Sequence, residues 1–105
     1  MTDVAIVTGG SRGIGRAVSL KLGKAGYLVV VNYASNAKAA EEVVDMIAKA
    51  GGQAVSVQGD VAVEADVLKI FAAADRLGTL RVLMNNAGIM DRQNRLDEMS
   101  TERIR

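Results

Sequence analysis

The chain has 105 residues, about the length of one small domain, and half of them are hydrophobic. Its net charge of +1 provides no large basic surface, which argues against nucleic acid as a partner. Cysteine and histidine are both absent, so a disulfide framework, a thiolate nucleophile, an imidazole base and a zinc site are excluded. With no signal peptide and no apolar run approaching about 18 residues, we expect a cytoplasmic protein without a membrane partner.

The first half of the chain alternates between short apolar runs and segments with helical periodicity. Residues 4–7 form an apolar run typical of a buried strand. Apolar residues then recur at helical spacing, and Gly26 supplies a stop; they are Ile14, Ala17, Val18, Leu22 and Ala25. Residues 27–32 are predicted as a second buried strand, followed by a second helix with the apolar residues Ala40, Val43, Val44 and Ile47.

The alternation continues in the second half of the chain. Residues 53–58 and 81–85 are predicted as the third and fourth strands. Between them lies a third helix, with an apolar face of Val67, Ile70, Phe71 and Ala74, and Ser100 is a candidate cap for a fourth helix. Strands that alternate with helices through short connections predict an α/β fold, a doubly wound parallel sheet with helices on its faces.

A glycine loop, residues 9–15, follows the first predicted strand and holds four glycines in seven positions. Ligands of parallel sheets bind outside the carboxyl ends of the strands, and amides around Ile14 and Gly15 would point at an anion there. We therefore predict a pyrophosphate site, in which Gly13 admits the phosphates to the main chain and Gly15 lets the helix lie close to the strand. The alternative is a tight turn with surplus glycine.

Two other phosphate-binding motifs do not fit this loop. A P-loop requires Lys and then Ser or Thr after its last glycine, but Arg16 and Ala17 follow Gly15. The dinucleotide spacing G-x-G-x-x-G is also absent. A phosphoryl-transfer enzyme is therefore the weakest of the candidate functions.

Three segments carry a family resemblance: "TGGSRGIG" (residues 8–15), "GDV" (residues 59–61) and "NNAG" (residues 85–88), each after a predicted strand. In this order they resemble the short-chain dehydrogenase/reductase family across all 105 residues. The resemblance implies a strand order 3-2-1-4, and that residues 1–105 are the N-terminal part of a single NAD(P)-binding Rossmann domain, truncated after the fourth strand. The cofactor contacts it implies are Thr8, Gly9, Gly13, Ile14 and Gly15 in the first segment, Asp60 and Val61 at the adenine, and Asn86, Ala87 and Gly88 along the nicotinamide-side ribose.

Local structure offers an alternative explanation for two of these segments. Asp60 could cap the following turn, and Asn86 and Gly88 suit the backbone angles of a loop. The chain departs from the family pattern at Arg81, where the family usually has an aspartate at the start of the fourth strand. That difference reverses a charge near the sheet and leaves the glycine loop untouched.

The end of the second strand bears on the choice between NAD and NADP. An NAD enzyme usually has Asp or Glu there to bind the ribose 2′-hydroxyl, but no acid occurs before Glu41. We predict NADP, with Arg12 reaching the 2′-phosphate and stacking on adenine, although Arg12 could instead be an exposed cation without a partner. The neighbouring candidate contacts are Ser11, Asn32, Tyr33 and Ser35. Replacing Asn32 by Asp is predicted to shift the preference toward NAD.

Hydride transfer in the family uses a serine and a Tyr-x-x-x-Lys pair, and that pair is absent here. Val31 and Ala37 stand four positions after the two tyrosines, Tyr27 and Tyr33. The resemblance thus implies an NADPH-dependent carbonyl reductase or alcohol dehydrogenase, homo-oligomeric in its complete form and acting on a small carbonyl or hydroxyl substrate. These residues would be its cofactor-binding fragment, inactive alone. The alternative is a non-catalytic dinucleotide-binding module.

Overall fold

The computed structural model describes residues 2–86, which form one parallel sheet flanked by helices. The strands are β1 (Asp3–Thr8), β2 (Leu28–Tyr33), β3 (Gln53–Gln58) and β4 (Thr79–Asn85). The helices are α1 (Gly13–Lys24), α2 (Ala37–Lys49) and α3 (Glu64–Leu77). The strand order is β3-β2-β1-β4, and every pair is parallel. The α/β Rossmann-type fold and its strand order are therefore confirmed.

The two faces of the sheet bury separate sets of apolar side chains. α1 and α2 cover one face, where Val29 and Val31 pack with Val43 and other residues of the helices. α3 covers the opposite face, where Val30 packs with Ile70. The central strands β1 and β2 are thus covered on both sides, which is why their sequences are almost continuously apolar.

The face that α1 turns to the sheet agrees with the prediction in part, because Val18 and Leu22 pack against the core whereas Ala17 and Ala25 are exposed. The predicted apolar face included Ile14, which is 71% exposed. The buried residues are small ones spaced four apart, namely Gly15, Ser19 and Gly23. Small side chains let a helix approach a sheet closely. Hydrophobic periodicity missed these three small residues because it registers large apolar side chains.

The carboxyl ends of all four strands lie at one edge of the sheet, here called the carboxyl edge. The glycine loop leaves this edge from β1 and leads into α1. Residues 34–36 connect β2 to α2, and residues 59–63 connect β3 to α3. The fold therefore brings every predicted site segment within the described residues to the same edge.

β4 lies at one side of the described sheet and carries the departure from the family pattern. Its register on β1 shifts between Val4 and Ala5, whose partners are Leu80 and Val82. Arg81, the residue between those partners, has its Nε 3.3 Å from Asp3 Oδ1. The reversed charge is therefore matched by an acid on β1. Both side chains are more than half exposed, so the pair contributes little to stability.

Candidate functional site

The glycine loop packs the first turn of α1 against the end of β1. A Cβ at Gly15 would collide with the Gly9 carbonyl oxygen and lie 2.7 Å from Asn86 Nδ2. This close approach is the role that the sequence predicted for Gly15. Gly13 has a φ of 56°, which favours glycine, and nothing lies within 4 Å of the place its Cβ would take. The main chain at Gly13 is thus open to a ligand.

The first turn of α1 presents amide groups without a partner in residues 2–86. Arg12 is the N-cap, but its side chain makes no capping hydrogen bond, and the turn contains no acidic residue. The first helical hydrogen bond runs from Arg16 N to Arg12 O at 3.2 Å. The amides of Gly13, Ile14 and Gly15 precede it, at the positive end of the helix dipole. This arrangement can bind an anion.

Asn32, near the end of β2, connects the glycine loop to β3. Its Oδ1 accepts a hydrogen bond from Gly9 N at 3.1 Å, and its main-chain carbonyl accepts one from Gly10 N at 3.0 Å. Its Nδ2 donates to Val57 O at 3.2 Å and to Gly59 O at 3.1 Å. The residue is only 2% exposed. This corrects the prediction of Asn32 as a side-chain contact to a 2′-phosphate, because both ends of its amide are bound inside the protein.

Thr8 and Asn86 join the end of β4 to the glycine loop. Thr8 Oγ1 accepts a hydrogen bond from Asn86 N at 2.9 Å and donates to Asn85 Oδ1 at 3.1 Å. Asn86 Nδ2 donates to Gly9 O at 3.2 Å. These contacts tie the turn after β4 to the end of β1 and to the glycine loop. Ala87 and Gly88, the other predicted contacts here, and the candidate cap Ser100 lie outside the described residues.

Ser19 is a site residue that the sequence analysis missed. It is completely buried in α1, and its Oγ lies 2.8 Å from Gly15 O and 3.2 Å from Gly10 O. Ser19 therefore ties the helix to the glycine loop. The available signal was its spacing, four residues after Gly15 and four before Gly23, on a face made of small residues.

The predicted contacts for a 2′-phosphate occupy different environments. Arg12 and Ser35 are exposed, whereas Ser11 is 9% exposed and Tyr33 packs partly buried on the face covered by α1 and α2. Within residues 2–86 the Arg12 guanidinium has no ion pair. Gln58 Nε2 donates to Ala34 O at 2.9 Å and so holds the loop that carries Ser35. No acidic side chain lies in that loop.

The loop after β3 is closed by two carboxylates. Asp60 Oδ1 accepts a hydrogen bond from Ala62 N at 2.9 Å, and Asp60 N donates to Asp66 Oδ2 at 2.9 Å. The alternative explanation of Asp60 as a turn cap is therefore confirmed for one of its oxygens. The Asp60 side chain is exposed at the carboxyl edge, and Val61 beside it is half-buried.

The part of the chain that the structure describes contains neither a membrane-spanning helix nor a cluster of metal-binding side chains. None of its helices combines the length and apolar character that a bilayer crossing requires. In residues 2–86, no three side chains of the metal-binding types come together as a possible ion site.

Comparison with known proteins adds to this geometry. The family model described as short chain dehydrogenase matches residues 3–105. The chain is similar to the uncharacterized oxidoreductase YgfF of Escherichia coli (strain K12), with 47% identity over 102 residues that make up 96% of this chain and 41% of YgfF. It is also similar to the short-chain dehydrogenase/reductase homolog YusS of Bacillus subtilis (strain 168), with 47% identity over 90 residues, 85% of this chain and 83% of YusS.

A solved structure of the angucycline C-6 ketoreductase LanV with bound NADP has the same fold. Its TM-score is 0.73 at 47% sequence identity, and the match covers 82% of this chain and 36% of LanV. The chain thus spans less than half of YgfF and of LanV, but most of YusS. Since the family model covers nearly every residue, the chain belongs to the short-chain dehydrogenase/reductase family.

Proposed function

We propose that the chain is the cofactor-binding N-terminal part of an NADPH-dependent carbonyl reductase or alcohol dehydrogenase of the short-chain type. One observation carries this proposal: the first turn of α1 leaves the amides of Gly13, Ile14 and Gly15 unpaired within residues 2–86, beside an open main chain at Gly13. The donors and the space both fit a pyrophosphate. The family match supports the short-chain type, and the partial coverage of YgfF supports an N-terminal part of a longer protein.

The chain's own residues would bind and orient the cofactor. The three amides of the first turn would hold the pyrophosphate, and the helix dipole would favour its negative charge. Ile14, whose side chain is 71% exposed, would lose water contact when a cofactor covers it. Bound NADPH would supply a hydride to a carbonyl substrate. The acid that protonates the resulting alkoxide is absent from residues 1–105, because neither tyrosine belongs to a Tyr-x-x-x-Lys pair.

The preference for NADP over NAD rests on charge at the carboxyl edge. Arg12 is an exposed cation at the start of α1, and the loop after β2 has no carboxylate that would repel a 2′-phosphate. Arginine binds phosphate through paired hydrogen bonds and stacks on aromatic rings. LanV, a relative of known structure, has NADP bound. We infer that Arg12 and Ser35 hold the 2′-phosphate.

Titration of the full chain with NADPH and NADH tests the proposal. Both cofactors fluoresce through the reduced nicotinamide, so their binding can be followed directly. We expect NADPH to bind at least about tenfold more tightly than NADH, which corresponds to about 1.4 kcal/mol. Equal affinity for the two would contradict the preference, and binding of neither would contradict the function.

Arg12→Gln and Arg16→Gln form a matched pair of variants for the 2′-phosphate contact. Each removes one exposed cation from the start of α1, but Arg16 Nη2 already lies 3.4 Å from Met46 Sδ on α2. We expect Arg12→Gln to weaken NADPH binding by about tenfold and NADH binding by less than about twofold. Arg16→Gln should change both affinities little. An equal response to the two substitutions would mean that only net charge matters.

A second candidate function is a dinucleotide-binding module that performs no hydride transfer. It is favoured by one observation, the similarity to YusS, of which the match covers 83%. The coding sequence downstream of the Arg105 codon separates the candidates: a Tyr-x-x-x-Lys pair there supports the reductase, and a stop codon supports the module. In both cases we expect residues 1–105 alone to oxidise no NADPH when ketones are added. The cytoplasmic location and the homo-oligomeric complete form stay predictions.

A further inference from the structure

The side chain of Asn32 is a buried crosslink between two segments of the carboxyl edge. It holds Gly9 of the glycine loop through Oδ1 and the carbonyls of Val57 and Gly59 through Nδ2, all at 3.1–3.2 Å. Because one partner is an N–H donor and two are carbonyl acceptors, only one orientation of the amide satisfies them. Both N–H groups of the carboxamide are therefore used. At 2% exposure, no ligand reaches this side chain.

These bonds decide which glycine amides remain for a ligand. Asn32 occupies Gly9 N with its side chain and Gly10 N with its main-chain carbonyl. An anion therefore meets the amides that come later, those of Gly13 to Gly15. The Gly9 carbonyl oxygen is the surface on which Gly15 packs. The first turn of α1 thus depends on Asn32 for its position, through Gly9.

We propose that Asn32 is a positioning residue for the cofactor site, an inference that rests on the proposed function. It keeps the pyrophosphate-binding turn at a fixed distance from the loop after β3, which begins at Gly59 and continues with Asp60. Since Asn32 contacts neither end of the cofactor, it acts equally on NADP and NAD. This inference replaces the prediction that an aspartate at position 32 would shift the preference toward NAD with one of equal weakening for both cofactors.

Asn32→Asp is the informative substitution, because it keeps the acceptor for Gly9 N and replaces the donor to the two carbonyls by a second acceptor. One carboxylate oxygen can still accept from Gly9 N. The second oxygen takes the place of Nδ2, opposite the carbonyl oxygens of Val57 and Gly59, where acceptors repel each other. The glycine loop and the loop after β3 should then separate.

The matched control is Ile47→Ala. Ile47 is 2% exposed and lies beside Gly23 and Gly52, at the edge of the sheet opposite the carboxyl edge. Its truncation lowers the melting temperature without touching the site. NADPH and NADH are titrated against the full chain and both variants, at a temperature well below each midpoint of unfolding.

We expect Asn32→Asp to weaken binding of both cofactors by about tenfold or more and to change their ratio by less than about twofold. Ile47→Ala should keep the affinities of the unsubstituted chain. A shifted ratio in Asn32→Asp would make Asn32 a ligand contact, and unchanged affinities would remove any positioning role; both outcomes overturn the inference while the proposed function stands. If the unsubstituted chain binds neither cofactor, the proposed function fails and the inference fails with it.

Amide hydrogen exchange of the unsubstituted chain tests the inference even if Asn32→Asp does not fold. Without cofactor, we expect the amides of Gly9 and Gly10 to be protected and those of Gly13 and Gly15 to exchange fast. NADPH should protect Gly13 and Gly15 and leave the other two unchanged. The inference is overturned if all four amides exchange equally fast before NADPH is added.

Discussion

The beginnings of α1 and α2 lie at the same edge of the sheet, yet their first turns are completed differently. At α2, Asn36 is the N-cap, and its Oδ1 accepts a hydrogen bond from Ala39 N at 3.0 Å. At α1, the N-cap is Arg12, whose side chain has no acceptor to offer. An amide in the first turn of α2 is therefore bound by the side chain of its N-cap. The amides in the first turn of α1 are left for another acceptor.

α3 extends the comparison. Its N-cap, Val63, makes no side-chain cap either, but Glu64 and Asp66 bring negative charge to its first turn. Asp66 also binds the amide of Asp60. Among the helices in residues 2–86, α1 is thus the one that starts with neither a capping side chain nor an acid. A helix start without its own acceptor can bind water or an anionic ligand.

The largest expected effect comes from closing the space between α1 and β1. In Gly15→Ala the new Cβ collides with the Gly9 carbonyl oxygen, so the first turn must move away from the loop. We expect NADPH affinity to fall by about 100-fold, equivalent to about 2.7 kcal/mol. Calorimetric titration of the variant measures this loss.

Gly23→Ala is the control for that substitution, because Gly23 is buried on the same face of α1. Its Cβ would lie 2.7 Å from Ile47 Cγ2, a methyl group on a buried, β-branched side chain of α2. Stability should change in this variant, but NADPH affinity should not. Equal losses of affinity at both glycines would mean that general destabilisation explains the result.

Giving the first turn of α1 the side-chain acceptor that it lacks should stabilise the ligand-free chain and weaken NADPH binding. The Arg12 backbone is extended, with φ −144° and ψ 157°, which suits an N-cap aspartate. We expect Arg12→Asp to raise the free energy of unfolding of the ligand-free chain by about 1 kcal/mol. NADPH affinity should fall by about 30-fold, because the carboxylate competes with and repels the phosphates. Thermal unfolding and titration measure the two effects.

Arg12→Gln separates the two contributions, since it removes the cation without adding a charge. Its loss of NADPH affinity should be smaller than that of Arg12→Asp, and its stability should not rise. If Arg12→Asp does not stabilise the free chain, the first turn of α1 is already satisfied and the comparison with α2 breaks down.

Removing the cap of α2 should affect stability alone. Asn36→Ala deletes the acceptor for Ala39 N, and such losses cost about 1 kcal/mol. For a domain of this size we expect the melting temperature to fall by about 4–8 °C. Asn36→Asp retains the acceptor and should melt close to the unsubstituted chain. A change in NADPH affinity in either variant would show that the two helix ends are not independent.

The smallest effect is expected at the edge of the sheet opposite the site. Arg81→Ala removes the exposed ion pair with Asp3, worth about 0.2–1 kcal/mol. The difference in melting temperature should shrink in high salt, because salt screens exposed charges. NADPH affinity should stay constant in this variant, which sets the baseline for the changes at the carboxyl edge.

The main-chain features of the candidate site were predictable from the sequence, whereas the hydrogen-bond partners of its side chains were not. The spacing of Gly13 and Gly15 predicted an open backbone and a close approach, and the structure has both. The environment of the Asn32 side chain was not predictable, because its partners come from other segments. Asn32 reaches Val57 and Gly59, 25 and 27 residues away, only through the register of β2 on β3.

The amino-acid sequence alone determined the alternation of strands and helices, the strand order through the family resemblance, and the position of the glycine turn for which we propose anion binding. These follow from local patterns: apolar runs, helical periodicity and glycine spacing. Tertiary structure decided which polar groups remain for a ligand. Asn32 takes the amides of Gly9 and Gly10, Asn36 caps α2, and the first turn of α1 is left over. The reason is that hydrogen bonds are exclusive, so the free donors are known only after the long-range partners have met.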